Sequence, residues 1–199
     1  MFDLSGRTAL VTGAGQNVGA GIAAALAARG ATVAVNDLRP DRAAAVAAAI
    51  NERADGGRAR AVPFDVTDLE AVRAGVASVG VVDILVNNAG VGGEHPMAVE
   101  PFRTMDPAAW EGPIRVNLYG VLHCCKAVVD GMCERGWGRI VTISSGAGTA
   151  GTRLGVSPYS AGKGGGIAFT RTLALEVARS GVTANSLALG LMERGDGEV

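Results

Sequence analysis

A phenol and an ammonium stand four residues apart in Tyr159-Ser160-Ala161-Gly162-Lys163. On a helix these two side chains share one face. The 199-residue chain holds two tyrosines, and only two of its 18 basic residues are lysines. A tyrosine followed by lysine at that spacing therefore arises by chance in about one such chain in fifty, which makes the pair stronger than most short motifs. An arginine-biased sequence keeps lysine here, and lysine offers a compact, rotatable point charge that the planar guanidinium cannot copy. Reducing a ketone needs a hydride and a proton for the developing alkoxide. A free phenol, with a pKa of about 10, is a poor proton acceptor near neutrality. A neighbouring cation stabilises the phenolate and brings the group closer to acid–base range. Ser145 lies 14 residues before Tyr159, just past an apolar run. Its hydroxyl is placed either to hold a substrate oxygen or simply to close a strand.

A second constellation lies near the N-terminus. Thr12-Gly13-Ala14-Gly15-Gln16-Asn17-Val18-Gly19-Ala20-Gly21 follows a strand-like run and precedes a helix-like one. Glycines at such a turn let the backbone approach a pyrophosphate, and the helix N-terminus supplies N–H donors and a favourable dipole. A plain tight turn is the alternative, although the strand–turn–helix setting is the one the motif demands. Asp37 ends the next strand, 24 residues after Gly13, close to the ~20 expected of an acid that binds the ribose hydroxyls. A carboxylate there repels a 2′-phosphate, so NAD is favoured over NADP. Arg39, two residues on, weakens that preference, and an N-cap role before Pro40 is the competing reading of Asp37.

These groups need a scaffold, and the pattern of the chain supplies one. Strand-like runs at 8–12, 32–36, 61–64, 82–87, 139–143 and 182–187 alternate with helical stretches at 18–29, 40–54, 68–78, 114–134 and 159–179, the third with Thr67 as its cap. The strands lack period-2 alternation, which signals a parallel sheet buried on both faces. The fold class is α/β, a doubly wound parallel sheet with helices on both faces. One domain fits the length. No apolar run reaches the ~18–20 residues of a membrane span, and no signal-peptide pattern opens the chain, so the expected compartment is the cytoplasm. Net charge is −1, with no basic stripe to bind nucleic acid or an anionic membrane. Cys124, Cys125 and Cys133 form no C-x-x-C pair and read as reduced and buried. The two histidines, His95 and His123, sit at no metal-ligand spacing, so no metal is expected. Trp110 and Trp137 read as packing residues.

Together these residues resemble the short-chain dehydrogenase/reductase family, and more closely its 3-oxoacyl-[acyl-carrier-protein] reductase-like members. Thr12–Gly19 matches the family's T-G-x-x-x-G-x-G, and Asn87-Asn88-Ala89-Gly90 its N-N-A-G motif. Ser145, Tyr159 and Lys163 match its catalytic residues, with Asn117 as its helical asparagine, which helps hold a water in a proton relay from the lysine. The resemblance implies a Rossmann fold and cofactor contacts from Gly13, Gly15, Gln16, Asn17, Val18, Gly19, Asp37, Leu38, Asn88, Ala89, Gly90, Tyr159 and Lys163. It implies further that Asp65, with Val66 beside it, meets the adenine. Subunits are expected to pair, as a homodimer or homotetramer, through the helices bearing Asn117 and Tyr159.

The sequence departs from the family pattern at four places. Asn17 stands for a glycine, Gly112-Pro113 interrupts a helix start, and Leu189-Gly190 replaces Pro-Gly. The family's seventh strand and substrate-covering segment would lie beyond Val199, so the expectation is a sheet without the family's last strand and with the sixth strand as an open edge. The substrate pocket is expected from residues 91–97, 146–158 and 190–194, with Glu94, His95 and Arg153 as candidate contacts. The activity implied is hydride transfer between a nicotinamide cofactor and a secondary alcohol or ketone. An NADPH-linked 3-oxoacyl-thioester reductase and a catalytically impaired cofactor-binding scaffold are the alternatives.

Overall fold

A computed structural model describes residues 3–53, 58–90 and 97–190. Six strands form one sheet in the order β3-β2-β1-β4-β5-β6, every neighbour parallel. They are β1 (Thr8–Val11), β2 (Thr32–Val35), β3 (Arg58–Ala61), β4 (Ile84–Asn87), β5 (Gly138–Ser145) and β6 (Val182–Leu189). The helices are α1 (Asn17–Ala27), α2 (Pro40–Asn51), α3 (Leu69–Val79), α4 (Glu111–Ile114), α5 (Gly120–Glu134) and α6 (Ser157–Val177). This is the doubly wound sheet that the alternating pattern predicts, with a Rossmann strand order.

Successive strand residues feed two cores. Leu10, Leu85 and Ile140 face α3, α5 and α6, while Ala9, Val11, Val33, Val35 and Val86 face α1 and α2. Leu10, Leu85 and Ile140 are fully buried, and each such side chain contributes roughly 1.5–3 kcal/mol through burial. The α1–α2 side is packed with alanines, Ala23, Ala27, Ala43 and Ala47. Two helices of small residues can then lie close to the sheet.

Several boundaries differ from the sequence reading. The third strand is Arg58–Ala61, three residues before the apolar run at 61–64. An edge strand need bury only one face, so alternating Arg58-Ala59-Arg60-Ala61 serves, and Pro63 has no N–H to give a ladder. Its open side is closed locally, because the Asn51 amide donates to the Ala59 carbonyl and accepts from the Ala59 N–H, both at 2.8 Å. The cap of α3 is Asp68, not Thr67. Its carboxylate accepts from the N–H groups of Glu70 and Ala71 at 2.9 and 3.1 Å. The stretch 114–134 is not one α-helix, since Arg115–Tyr119 forms a π-helical turn between α4 and α5. Pro113 falls in the first turn of α4, where its missing N–H costs nothing. The last strand reaches Leu189, and β6 forms one edge of the sheet among the described residues.

Asp68→Ala is expected to cost α3 about 1 kcal/mol. Urea unfolding followed by circular dichroism would register it as a lower midpoint at unchanged m-value, and Thr67→Ala should have the smaller effect.

Candidate active site

The catalytic candidates meet at the C-terminal ends of β4 and β5. Tyr159 and Lys163 lie one turn apart on α6, with the Lys163 Nζ 5.9 Å from the centroid of the phenol ring. Lys163 is 7% exposed. Its Nζ donates to the Ile143 carbonyl at 2.8 Å. Burial pushes its pKa down to about 8, because the charged form loses its water.

Asn117 lies in the π-helical turn and is 1% exposed. A π turn spaces its bonds five residues apart, as in Gly120 N–H to Arg115 O, and such turns recur at functional sites. The Asn117 Nδ2 donates to the Pro113 carbonyl at 2.7 Å. Its Oδ1 and the Lys163 Nζ converge on Gly90, where a Cβ would sit 3.0 Å from each. Gly162 brings α6 against this turn, since a Cβ there would lie 3.0 Å from the Asn117 Cβ. Ser145 ends β5, and its Oγ accepts from the Ala147 N–H at 3.2 Å. The Gly146–Gly148 turn then folds back on α6, where Gly148 has no room for a Cβ beside Gly164 and Lys163. The structure therefore gathers Lys163, Tyr159, Asn117 and Gly90 around one spot, with Ser145 at the neighbouring strand end.

The glycine turn lies at the end of β1. Asn17 has a φ of 47°, the one positive value on a non-glycine among the described residues, and asparagine tolerates the left-handed region better than most residues. A Cβ on Gly13 would lie 2.7 Å from the Ala89 Cα, and one on Gly19 would strike the Gly13 carbonyl. Gln16 precedes α1 in extended backbone and provides no side-chain cap, and no acid lies in the first turn. Val18 lies in that same first turn. Its N–H groups and positive dipole end suit a phosphate. The glycines and the uncapped start of α1 here fit a dinucleotide's phosphates.

Asn88 acts first on the protein itself. Its Nδ2 donates to the carbonyls of Thr12 and Gly13, both at 2.9 Å, and its N–H to the Thr12 Oγ1 at 3.0 Å. The Ala89 N–H joins the same hydroxyl at 3.1 Å. Thr12, outside the candidate site residues read from the sequence, thus ties β1 to β4. The sequence signal for it is its place at the head of the T-G-x-x-x-G-x-G match.

Asp37 is 7% exposed. Its carboxylate accepts from the N–H groups of Gly15 and Arg39, both at 3.0 Å. It is not the N-cap of α2, a position held by Arg39. Arg39 itself forms a two-bond pair with Asp41, each bond 3.2 Å, at the surface. Leu38 is exposed at 39%. The Asp65 Oδ1 accepts from the Thr67 N–H at 2.7 Å. Val66 packs on Gly120, and its carbonyl lies 3.0 Å from the His123 Nδ1. Within residues 91–97 and 190–194, residues 91–96 and 191–194, with Glu94 and His95, lie outside the described set; Arg153 is exposed.

The remaining groups pack. Trp110 stacks on Phe102 at 5.1 Å, and Trp137 lies between the guanidiniums of Arg7 and Arg139. Cys124 and Cys125 are buried, with burial pushing both thiols upward, Cys125 to about 12. Cys133 is only half-buried, in contrast to the expectation for it.

A family profile described as short chain dehydrogenase matches residues 7–196. Nodulation protein G of Azospirillum brasilense is 42% identical over 191 residues, covering 94% of this chain and 75% of that protein. A gluconate 5-dehydrogenase from Burkholderia cenocepacia, solved with NADP and tartrate, superposes with a TM-score of 0.87 at 37% identity, over 97% of this chain and 74% of the other. A 3-oxoacyl-[acyl-carrier protein] reductase from Brucella melitensis with bound NAD gives 0.87 at 34% identity, over 94% and 71%.

Lys163 gives the cofactor-free fold a specific pH signature. Below pH ~8 both folded and unfolded chains carry its proton, and the fold bears the cost of a buried charge. Between about 8 and 10.5 the folded chain has released the proton that the unfolded one still holds, so rising pH favours folding. Relative to Lys163→Met, the wild-type midpoint of urea unfolding should rise across that window. A difference independent of pH would contradict the depressed value.

Proposed function

Because this chain belongs to the short chain dehydrogenase family, we propose that it interconverts a secondary alcohol and a ketone with NAD, with Tyr159 exchanging the proton. Membership makes it a nicotinamide-dependent oxidoreductase. The observation that carries the residue assignments is the buried Lys163 ammonium beside Tyr159, facing Gly90 together with Asn117. The bound nicotinamide supplies the site that takes up or gives the hydride.

Gly13, Gly15, Gln16, Asn17, Val18 and Gly19 would hold the pyrophosphate, Asp37 and Leu38 the adenosine ribose, Asp65 and Val66 the adenine, and Asn88, Ala89 and Gly90 the nicotinamide half. During alcohol oxidation the substrate hydroxyl gives its proton to the Tyr159 oxygen. During ketone reduction the phenol returns a proton to the developing alkoxide. The Lys163 ammonium, one helical turn away, keeps a positive charge 5.9 Å from the centre of the phenol ring during that exchange. Asn117 orders the path by which the proton reaches or leaves Lys163, and Ser145 donates a hydrogen bond to the substrate oxygen.

Asp37 supports NAD over NADP. Two backbone N–H groups fix its carboxylate, and a 2′-phosphate would meet that negative charge. Arg39, the cation closest in sequence, is engaged by Asp41. A 3-oxoacyl thioester is the second substrate reading, supported by the reductase from Brucella melitensis. Pairing of two copies through α5 and α6 is part of the proposal. No helix among the described residues is long and apolar enough to cross a membrane, and a cytoplasmic setting is proposed.

Tyr159→Phe should lower kcat by about 100-fold or more, read from the cofactor's absorbance at 340 nm with an alcohol series, while calorimetric NAD binding stays within about twofold. Turnover retained in that variant would remove Tyr159 from its role. Titration with both dinucleotides should give tighter NAD binding, and Asp37→Ala should narrow the gap. A wild-type preference for NADPH would reverse the assignment of Asp37.

A further inference from the structure

We propose that Ser144 is a positioning residue whose buried hydroxyl fixes the turn of α6 carrying Lys163, holding the ammonium on the Ile143 carbonyl. The inference rests on the catalytic reading of Lys163 given above.

Residues 162, 164, 165 and 166 of α6 are all glycine. Glycine inside a helix costs roughly 0.5–1 kcal/mol relative to alanine, so this segment has little intrinsic reason to hold its shape. Crowding accounts for Gly162 and Gly164. A Cβ at 162 would press on Asn117 and Pro113, and one at 164 would lie 3.1 Å from the Gly148 carbonyl. The helix therefore lies close to its neighbours at the catalytic turn but is weak in itself there.

β5 supplies the missing constraint through two hydroxyls on its α6 face. The Ser144 Oγ donates to the Lys163 carbonyl at 3.0 Å. Two residues earlier, the Thr142 Oγ1 lies 3.0 Å from the Thr170 Oγ1, which donates to the Gly166 carbonyl at 2.8 Å. Both Ser144 and Thr142 are buried. A helix carbonyl has a second lone pair, so it accepts such a bond without giving up its helical one. Lys163 is thereby held at both ends by adjacent residues of one strand, its carbonyl by Ser144 and its Nζ by the carbonyl of Ile143. A long, rotamer-rich side chain becomes a strut of fixed reach. Thr142 and Thr170 hold a turn farther from the ammonium and serve as the comparison.

The chain's two lysines, Lys126 and Lys163, make the test direct. Lysine labelled with 13C at Cε gives two resonances, and exposed Lys126 is the internal reference. Ser144→Ala is expected to release the ammonium from its dry site into water and so to move the Lys163 titration upward, toward the ordinary lysine value. It should also lower kcat about tenfold, ~1.4 kcal/mol, with KM changed by less than about twofold, and shift the corresponding limb of the kcat–pH profile. Ser144→Thr, which keeps the hydroxyl, should restore all three. Thr142→Val should lower the unfolding midpoint and leave the Lys163 resonance in place. If Ser144→Ala does not fold, Ser144→Cys, with a similar volume and a weaker donor, should give the same changes at reduced size. Wild-type values for kcat, pH profile and Lys163 titration in the folded variant would overturn the proposal. Such a result beside an inactive Tyr159→Phe would leave the catalytic reading standing, whereas an active Tyr159→Phe would remove the reading itself.

Discussion

A lysine ammonium buried almost completely between α6 and the end of β5 is the constraint around which the active site is organised. Removing a charge from water is costly unless partners replace the lost solvation. The Ile143 carbonyl replaces part of it, and the remaining penalty appears as the depressed Lys163 pKa, about 8. Hydrophobic packing alone would not place an ammonium there. The surrounding elements are arranged accordingly, with glycines at 90 and 162 where a side chain would collide with it or with Asn117. The π turn keeps the Asn117 amide on Pro113 and its oxygen toward the same spot.

The second organising feature is the junction of β1 and β4, where the strand order reverses direction. Parallel strands with helices on opposite faces diverge at such a point and leave a crevice at their C-terminal ends. Thr12 and Asn88 hold that crevice in shape by bonding across it. The glycine turn, Asp37 and the N-N-A-G segment consequently present themselves around one groove, although they are distant in sequence. The first turn of α1 carries neither a side-chain cap nor an acid, while α3 has the Asp68 cap. The two helices differ in what their N-termini are for: one end is satisfied by its own residue, and the other faces the groove.

The two faces of the sheet divide the work. Alanine-rich α1 and α2 cover the side that supports the glycine turn, and α3, α5 and α6 cover the side that carries Asn117, Tyr159 and Lys163. The catalytic groups therefore stand on α6, the π turn before α5 and the end of β5, with α6 held at its glycine-rich turn by bonds from β5. That geometry suits proton exchange, which depends on sub-ångström placement.

Much of this was determined by local sequence. Apolar runs without alternation fixed a parallel sheet, since only strands covered on both faces can be apolar throughout. The Tyr159–Lys163 spacing fixed a shared helical face. Asp37 was legible as an acid at a strand end. The tertiary structure decided what depends on neighbours distant in the chain. The third strand moved to Arg58–Ala61 because it lies at an edge and pairs by register with Thr32–Val35, a position for which an apolar run is not required. The cap passed from Thr67 to Asp68 through one residue of helix phase. The Thr12–Asn88 lock and the Ser144–Lys163 bond arise only when separate segments meet, and a hydrogen bond between residues 19 to 76 apart leaves no periodicity in a sequence.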